Sequence, residues 1–356
     1  MQTNKHNMIF SNSLIQWYLN NKRDLPWRNT QNPYLIWLSE IMLQQTRVAQ
    51  GLPYYVAFTD AFPTVFDLAN ASEEQVLKLW QGLGYYSRAR NLHKTAQYVA
   101  SELKGKFPDN NKDLLKLKGI GDYTAAAIAS FAYNEAVPVV DGNVFRVLSR
   151  YFDIETDISL ATAKKEFAAL AFELMPKNDP ASFNQAIMEF GALQCVPKNP
   201  NCEICVFNSS CAALQKKKVH LLPFKSKKIK VSYRFFNYLV FEDENLNTII
   251  QKRDQKGIWH NLYEFPLIET ETEVDFDEIS GFISEKYSEE YSIISISDCN
   301  SKGRIHKLSH QHLSIKFWKV KVKGTIKEGI TAHKLKTFPF PIVIFNFIEK
   351  EYSVLT

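Results

Sequence analysis

The sequence predicts a multidomain protein in which an all-helical domain is followed by a domain of the α+β class. Residues 34–45, with the sequence YLIWLSEIMLQQ, carry apolar side chains at helical spacing. Residues 233–241 and 313–322 carry the β-branched and aromatic patterns of strands, and residues 276–287 again favour a helix. A chain of 356 residues is long enough for two domains of ordinary size.

Helical signals dominate the chain up to about residue 212. Ser72 is followed three residues later by Gln75, which is the pattern of a capping box at the start of a helix. Strand patterning is scarce in this part, and the short apolar stretch at 131–140 is interrupted by Pro138. These patterns predict a helical architecture for the first domain.

A lysine-rich run separates the two predicted domains. Residues 216–230 contain seven lysines and no acidic residue. This run is typical of a solvated linker, and it could also lie along a phosphate backbone. The predicted organisation is therefore a helical domain over residues 1–215, a basic linker over 216–231 and an α+β domain over 232–356.

Composition and the absence of targeting signals restrict the class of protein. No apolar run approaches the length of a membrane span, and the N-terminus lacks the features of a secretory signal. Hydrophobic residues make up 45% of the chain, and the formal net charge of +5 permits a nucleic-acid partner without requiring one. We therefore expect a soluble, cytoplasmic protein whose cysteines are reduced.

Four of the five cysteines form a closely spaced group. Cys195, Cys202, Cys205 and Cys211 follow the spacing C-x6-C-x2-C-x5-C. Thiolates this close together in a reducing compartment are metal ligands more often than disulfides. The metal could be zinc or an iron–sulfur cluster. Zinc ribbons usually carry two CxxC pairs and this chain has one, so the spacing favours iron–sulfur.

A glycine-containing turn joins two helical patterns at residues 117–125, LKGIGDYTA. The two glycines allow a tight turn, after which the N–H groups of the next helix point outward. A turn of this kind can bind a phosphate through backbone donors, which makes Gly119, Ile120 and Gly121 candidate contacts to a nucleic-acid backbone. A plain connection between two helices is the alternative.

Two carboxyl groups occupy positions suited to acid–base chemistry. Glu40 lies within the apolar helix at 34–45, where burial would raise its pKa and suit it to donate a proton near neutral pH. The alternative for Glu40 is the solvated edge of the apolar stripe. Asp141 opens the string DGNVFRV at 141–147, where an aspartate can also serve only as a turn or a helix N-cap.

These strings resemble the helix-hairpin-helix DNA glycosylases, and the MutY adenine glycosylases in particular. The resemblance is most specific at residues 34–46, 82–92, 117–125, 137–147 and 195–211. It implies an all-helical glycosylase domain with a structural [4Fe–4S] cluster on the four cysteines, followed by a MutT-like domain. It also implies that adenine opposite 8-oxoguanine or guanine is flipped out of duplex DNA and excised.

The resemblance further implies roles for individual residues. Breaking an N-glycosidic bond needs an acid for the leaving base and a carboxylate for the cationic sugar, so Glu40 would protonate adenine and Asp141 would serve the sugar. Tyr123 and Asn143 match positions that polarise or orient the reacting groups. The other matches are an adenine pocket of Trp27, Arg28 and Gln185, and residues that approach the opposite base or the base stack, namely Gln45, Thr46, Leu83 and Tyr85.

Tyr123 distinguishes two kinds of glycosylase. Bifunctional glycosylase/lyases carry a nucleophilic lysine at this position of the hairpin, and a Schiff base needs an amine. The sequence thus favours a monofunctional enzyme, with a bifunctional oxidised-pyrimidine glycosylase/lyase as the alternative. The paired Glu40 and Asp141 argue against a non-catalytic iron–sulfur DNA-binding protein. The missing acidic R-E-x-x-E-E motif argues against a nucleotide-pyrophosphate hydrolase.

The second predicted domain contains a candidate lesion-reading loop. Leu308, Ser309 and His310 resemble the Phe-Ser-His loop with which MutY glycosylases contact 8-oxoguanine, with leucine in place of the aromatic residue. A serine hydroxyl can both donate and accept, so Ser309 can test the edge at which 8-oxoguanine differs from guanine. We expect a monomer that acts on double-stranded DNA, and the sequence identifies no protein partner.

Overall fold

The computed structural model describes residues 2–226, 230–300 and 303–352, with side chains from residue 7 onward. The chain divides into a first unit of residues 1–70 and 91–227 and a second unit of residues 71–90 and 228–356. Part of the predicted linker, residues 227–229, lies outside the described residues. Among the described helices, none combines the length and the apolar character that a membrane span requires.

The first unit is helical, as the sequence predicts. The elements before residue 227 are α1 (Gln2–Asn21), a 3₁₀ turn (Pro26–Arg28), α2 (Pro33–Leu43), α3 (Val48–Ala61), α4 (Val65–Asn70), α5 (Glu73–Leu79), α6 (Ser87–Ser101), α7 (Asn111–Leu114), α8 (Asp122–Tyr133), α9 (Gly142–Phe152), α10 (Ala161–Leu174), α11 (Pro180–Leu193) and α12 (Ala212–Gln215). Of these, α5 belongs to the second unit, and α6 crosses the boundary at residue 90.

Local sequence signals set the bounds of α2. Asn32 caps its start by accepting a hydrogen bond from the backbone of Tyr34, and Pro33 fills the first turn, where its missing N–H is not needed. The helix ends at Leu43 rather than continuing over the whole predicted range. Gln45 adopts a left-handed backbone conformation with φ +56°, which a helix cannot continue through.

An aromatic core joins α1, α9, α10 and α11 to the loop that carries the cysteines. The ring of Phe10 in α1 stacks on the ring of Phe207, which lies between two of the cysteines, with centroids 4.9 Å apart. Phe145 of α9 and Phe167 of α10 meet edge to face at the same centroid distance. This core fixes the cysteine loop against the helices that carry the candidate site.

A buried amide fixes the extended segment that leads to Asp141. Asn184 of α11 is fully buried, and its Oδ1 accepts a hydrogen bond from the backbone N of Val139 at 3.1 Å. Its Nδ2 donates to the Val137 carbonyl at 2.8 Å and to the Ser130 hydroxyl at 2.9 Å. An unpaired buried amide would cost about 1–3 kcal/mol, so these bonds hold the segment in one position.

The second unit is built on a mixed sheet. Its strands are β1 (Ser232–Glu242), β2 (Gln251–Lys252), β3 (Tyr263–Glu264), β4 (Leu267–Thr270), β5 (Ile293–Asp298), β6 (Arg304–Lys307) and β7 (Gln311–Val322). The order in the sheet is β4-β1-β7-β5, with β6 also paired to β7, and β2 pairs with β3. Strands β1 and β7 run parallel, with Tyr238 opposite Phe317, and the other pairs are antiparallel. The helices after residue 227 are α13 (Phe276–Tyr287), α14 (Ala332–Leu335) and α15 (Ile342–Glu351).

The strongest sequence signals of this unit are confirmed. Strand β1 extends its predicted segment by one residue at each end, and β7 begins two residues before its predicted segment. Helix α13 has the predicted bounds. A capping box of Asp275 and Glu278 starts α13. The buried side chains of Ile279 and Ile283 pack in the same hydrophobic core as Trp318. The result is an α+β unit, in agreement with the predicted fold class.

The segment 71–90 packs within the second unit, although the sequence analysis assigns it to the first domain. It begins with α5, whose predicted capping box of Ser72 and Gln75 is present. Its polar contacts include Tyr263 Oη to Glu74 Oε1 at 2.5 Å, Lys78 Nζ to the Phe338 carbonyl at 3.1 Å and Arg90 Nη1 to the His260 carbonyl at 2.7 Å. Because these partners are far apart in sequence, local patterns do not predict their contacts. The domain bounds drawn from composition therefore place segment 71–90 in the first domain.

Candidate active site

Glu40 occupies a buried position on α2. Its residue is only 6% exposed, and its Oε2 accepts a hydrogen bond of 2.8 Å from the Tyr123 hydroxyl. Tyr123 lies in the first turn of α8, directly after the glycine turn, so that turn places the tyrosine against the carboxyl group. The structure therefore favours the buried alternative for Glu40 over the solvated edge of a helix.

The surroundings of Glu40 change its acidity. Burial raises the pKa of this carboxyl to about 7, with a further increase from the negative charge of Asp141. The hydrogen bond from Tyr123 and the positive charge of Arg28 act in the opposite direction. A carboxyl group with a pKa near neutrality can hold a proton and give it up at physiological pH.

Asp141 is the N-cap of α9, as one reading of the sequence predicts. Its Oδ1 accepts hydrogen bonds from the backbone N–H groups of Asn143 and Val144, both at 2.8 Å, and its Oδ2 accepts from Asn143 Nδ2 at 2.7 Å. Burial raises the pKa of Asp141, while these hydrogen bonds and the charge of Arg146 oppose the increase. The capping role and a role in the site are compatible, because the cap fixes the direction of the carboxylate.

A single cavity of about 620 Å³ in the first unit brings these residues together. The predicted site residues that line it are Trp27, Arg28, Glu40, Thr46, Tyr123, Asp141, Asn143 and Gln185. Gln45, from the same predicted set, is exposed beside Thr46 and is not among the lining residues. The volume is in the range of pockets that hold a small organic group such as a nucleobase.

A charge cluster around the buried Glu189 forms one wall of this cavity, and most of its members are not among the predicted site residues. Glu189 of α11 accepts hydrogen bonds from Arg28 Nη1 and Nη2, both at 2.7 Å, and from Arg23 Nε at 2.9 Å and Nη2 at 2.5 Å. Tyr18 donates to Gln185 Oε1 at 2.5 Å, and the Arg28 guanidinium lies over its ring. The hydrogen-bonded partners of Glu189 and Gln185 are more than 160 residues away in sequence, so no local spacing predicts them.

Arg146 also contacts the site, although it is not among the predicted site residues. It is buried, and its Nη2 donates to Asn143 Oδ1 at 2.7 Å and to the Gly191 carbonyl at 2.6 Å, while Nε donates to the Cys195 carbonyl at 2.7 Å. A Cβ added at Gly191 would lie 2.6 Å from Asn143 Cβ, so only glycine allows this approach of α11 to α9. These contacts orient the Asn143 amide toward Asp141.

The glycine turn before α8 has the geometry that the sequence predicts. Gly119 has φ +78°, and a Cβ there would lie 2.8 Å from Asn91 Cβ. Thr95 of α6 donates to the Lys118 carbonyl at 2.6 Å, and Gly121 is the N-cap of α8. The turn is thus held by α6, and the N-terminus of α8 presents the backbone donors that a phosphate contact needs.

The four grouped cysteines line one small cavity. Arg150 of α9 reaches it from one side, with Nη1 at 3.4 Å from Cys195 Sγ and at 2.8 Å from the Val196 carbonyl. Burial raises the pKa of Cys205 to about 11, and nearby thiolates raise it further. Among the described residues, no three or more Cys, His, Asp or Glu side chains converge closely enough to hold a single metal ion. The thiols instead lie around a shared space.

A cavity of about 480 Å³ in the second unit contains the candidate lesion-reading loop. The predicted residues that line it are Leu83, Tyr85, Leu308, Ser309 and His310. Tyr85 is 45% exposed, its backbone is left-handed with φ +49°, and its hydroxyl hydrogen-bonds that of Ser309. Residues 82–86 and the 308–310 loop therefore line one cavity within this unit.

Models of protein families match both parts of the chain. A model described as the HhH-GPD superfamily of base excision DNA repair proteins matches residues 38–174, and a NUDIX domain model matches residues 237–350. The first match includes the cavity-lining residues between Glu40 and Asn143. The second covers the sheet of the second unit.

Curated relatives resemble the chain over most of its length. An adenine DNA glycosylase from Buchnera aphidicola subsp. Schizaphis graminum is 38% identical over 74% of this chain and 76% of its own length. One from Buchnera aphidicola subsp. Acyrthosiphon pisum is 35% identical over 86% of this chain and 85% of its own. A solved structure of a thermostable thymine-DNA glycosylase is 30% identical, covers 61% of this chain and 100% of its own, and has a TM-score of 0.55.

Proposed function

The chain belongs to the adenine DNA glycosylases of the helix-hairpin-helix base excision repair superfamily, and we propose that it removes adenine mispaired with 8-oxoguanine or guanine in duplex DNA. The observation that carries the mechanism is the position of Glu40. It is a buried carboxyl with a pKa of about 7, in the same cavity as Asp141. This pair supplies the acid and the anion that N-glycosidic cleavage needs.

The reaction begins when the mispaired adenine leaves the base stack and enters the cavity. Glu40, in its acid form, donates its proton to a ring nitrogen of the adenine, which makes the base a better leaving group. The bond between that base and the sugar then breaks, and both bonding electrons leave with the base. The carboxylate of Asp141 stabilises the cationic sugar until water attacks it, and the proton that this water loses returns the Glu40 carboxylate to its acid form.

The neighbouring residues support this reaction. Tyr123 donates a hydrogen bond to Glu40, and Asn143 donates one to Asp141, so both carboxyl groups are held in fixed directions. Trp27, Arg28 and Gln185 line the cavity that receives the base. Tyr123 has no amine, so the sugar forms no Schiff base at this position and the enzyme is monofunctional.

A panel of duplexes tests the function directly. We expect single-turnover base release from A opposite 8-oxoguanine and G, and much slower release opposite C and T. Borohydride added to the same reactions should trap little covalent protein–DNA complex, since no lysine occupies the Tyr123 position. Efficient trapping, together with cleavage at oxidised pyrimidines, would instead support the bifunctional alternative.

The four cysteines fit a [4Fe–4S] cluster. Cys195, Cys202, Cys205 and Cys211 would each provide one thiolate, and thiols spread around a shared cavity suit a group that takes a ligand at each of its irons. The guanidinium of Arg150 would compensate part of the negative charge of the ligand set. When bound, the cluster would supply structural cross-linking of the loop rather than chemistry on the DNA.

Iron analysis tests the cluster. We expect anaerobically purified protein to be yellow-brown and to contain about four irons per chain. Cys202→Ser should lower the iron content and the stability of the loop, while Cys299→Ser, outside the group, should leave the iron content unchanged. Stoichiometric zinc without iron would mean that a four-thiolate zinc site is present instead.

The second unit would provide the preference for 8-oxoguanine. Ser309 and His310 lie beside Leu83 and Tyr85 in one cavity, where a serine hydroxyl can meet the altered edge of the lesion. Leu308 supplies an apolar side chain that cannot stack as an aromatic residue does. We therefore assign lesion reading to this unit, and the missing R-E-x-x-E-E motif argues against a hydrolase role for it.

A double substitution tests the lesion-reading role. Ser309→Ala with His310→Ala should reduce the preference for 8-oxoguanine over guanine by about 1–2 kcal/mol, because each lost hydrogen bond nets roughly 0.5–1.5 kcal/mol. Single-turnover kinetics and duplex affinity on both mispairs measure this preference. The substitution is a cleaner test than deletion of residues 232–356, which would remove the partners of segment 71–90. Equal losses on both mispairs would mean that the loop only adds general DNA affinity.

A further inference from the structure

Glu189 stands out because one buried carboxylate serves two arginines. Its side chain is 1% exposed, whereas those of Arg28 and Arg23 are 13% and 35% exposed. Its Oε1 accepts from the backbone N and Nε of Arg23 and from Nη1 of Arg28, and its Oε2 accepts from one nitrogen of each guanidinium. With both oxygens engaged in this way, Glu189 has little capacity to bind a base itself.

We propose that Glu189 is a positioning residue for the glycosylase reaction. Its carboxylate fixes Arg23 and Arg28 and compensates one of their two positive charges at the Glu40 cavity. The proposal rests on the proposed function, since it assigns a role to Glu189 in the same reaction. Bidentate bonds between a carboxylate and planar guanidiniums fix direction as well as distance. The arginines therefore line the cavity in one arrangement.

The charge balance of the wall matters because Arg28 and Glu40 line the same cavity. With Glu189 ionised, the three-residue cluster has a net charge of +1, and without it the charge would be +2. Hydrogen bonds from both arginines hold the pKa of Glu189 at about 2 in spite of its burial, so it is ionised throughout the working range of pH. The compensation is thus permanent.

Without the Glu189 carboxylate, the additional uncompensated arginine charge would favour the ionised form of Glu40 over its acid form. The positive charge of Arg28 already lowers the pKa of Glu40, in opposition to burial. A second uncompensated charge would lower it further, and the carboxyl would lose its proton at a lower pH. The ionisable groups that line this cavity are Arg23, Arg28, Glu40, Arg47, Tyr123, Asp141 and Glu189, which lie on α2, α8, α11 and the segments between helices.

The pH profile of single-turnover adenine release tests the proposal. In the unaltered protein the rate should fall as pH rises through the pKa of Glu40. Glu189→Gln should move this decrease to lower pH by about one unit, the size expected for one charge at moderate distance in a partly polar site. Arg23→Gln removes a positive charge, so it should move the decrease in the opposite direction, to higher pH.

Two further variants separate charge from geometry. Glu189→Gln combined with Arg23→Gln keeps the net charge of the cluster, so the decrease should return close to its original pH even if the maximal rate stays low. Glu189→Asp keeps the charge but shortens the side chain, so it should lower the rate with little movement of the profile. Thermal unfolding of each variant identifies any that fail to fold, and Arg23→Gln provides a test that leaves Glu189 in place.

Three outcomes would overturn the proposal. A uniform loss of rate in Glu189→Gln, with the decrease at its original pH, would assign Glu189 a purely structural role. Movement of the profile in the same direction in Glu189→Gln and Arg23→Gln, or by the same amount in the double variant as in Glu189→Gln, would contradict the charge argument. The proposed function fails differently, because the unaltered protein would then release no adenine or show no dependence on Glu40.

Discussion

Glu40→Gln should lower the single-turnover rate of adenine release by about 10²–10⁴-fold, which is the usual contribution of a general acid. Glutamine has nearly the same shape and can still accept the hydrogen bond from Tyr123, but it has no proton to give. The variant should therefore fold and bind a mispaired duplex as the unaltered protein does. Excess protein over duplex, with release of adenine measured at fixed times, gives the rate.

A matched substitution and a pH series complete this test. Glu173→Gln alters an exposed glutamate on α10 and should leave the rate unchanged. Because the acid form of Glu40 is the donor and its pKa is about 7, the rate of the unaltered protein should fall about tenfold per pH unit above that value. A near-normal rate in Glu40→Gln would remove Glu40 from the mechanism.

Asp141→Asn should lower the same rate by roughly 10²–10³-fold, the order of loss seen when a charge-stabilising group is removed from an active site. Asparagine is as good an N-cap as aspartate, so the start of α9 should survive the change. The expected result is a protein of nearly unchanged thermal stability that binds DNA but releases adenine slowly. Loss of the anion, rather than loss of the helix start, then explains the effect.

Asp141→Ala separates the two roles of this residue. Alanine removes both the charge and the cap, so it should lower the rate as Asp141→Asn does and also cost about 1 kcal/mol of folding stability. Urea denaturation measures the free energy of unfolding of both variants. If Asp141→Asn lost as much stability as Asp141→Ala, the rate loss could not be assigned to the missing charge.

Sequence patterns predict the parts of this protein that depend on near neighbours. The capping box at Ser72, strands β1 and β7 and helix α13 follow from spacing and composition alone, and the structure confirms them. The short strands β4, β5 and β6 have weaker patterns, because they are stabilised by pairing to β1 and β7 rather than by their own composition.

The candidate site also contains residues that the local sequence indicates and residues that depend on distant partners. Glu40 and Asp141 belong to informative local strings, and the structure places both on one cavity, although their catalytic roles stay predictions. Arg146 lies in the same string as Asp141 but is not assigned a role there, and Glu189 lies outside the informative strings. Each of these two residues contacts partners that the packing of α9 and α11 brings near. For Glu189, the available sequence signal is a Glu within an apolar helix.

The two segments of the second unit leave the ribosome at very different times. Residues 71–90 are synthesised before 91–227, while their partners in the same unit, among them Tyr263 and Phe338, are synthesised after it. At roughly 5–20 residues per second, this delay is several seconds or more. The nascent chain must therefore carry α5 without its partner surface while the helices of the first unit are already emerging. Completion of the second unit is consequently a late event in synthesis, and it closes a loop that contains more than half of the first unit.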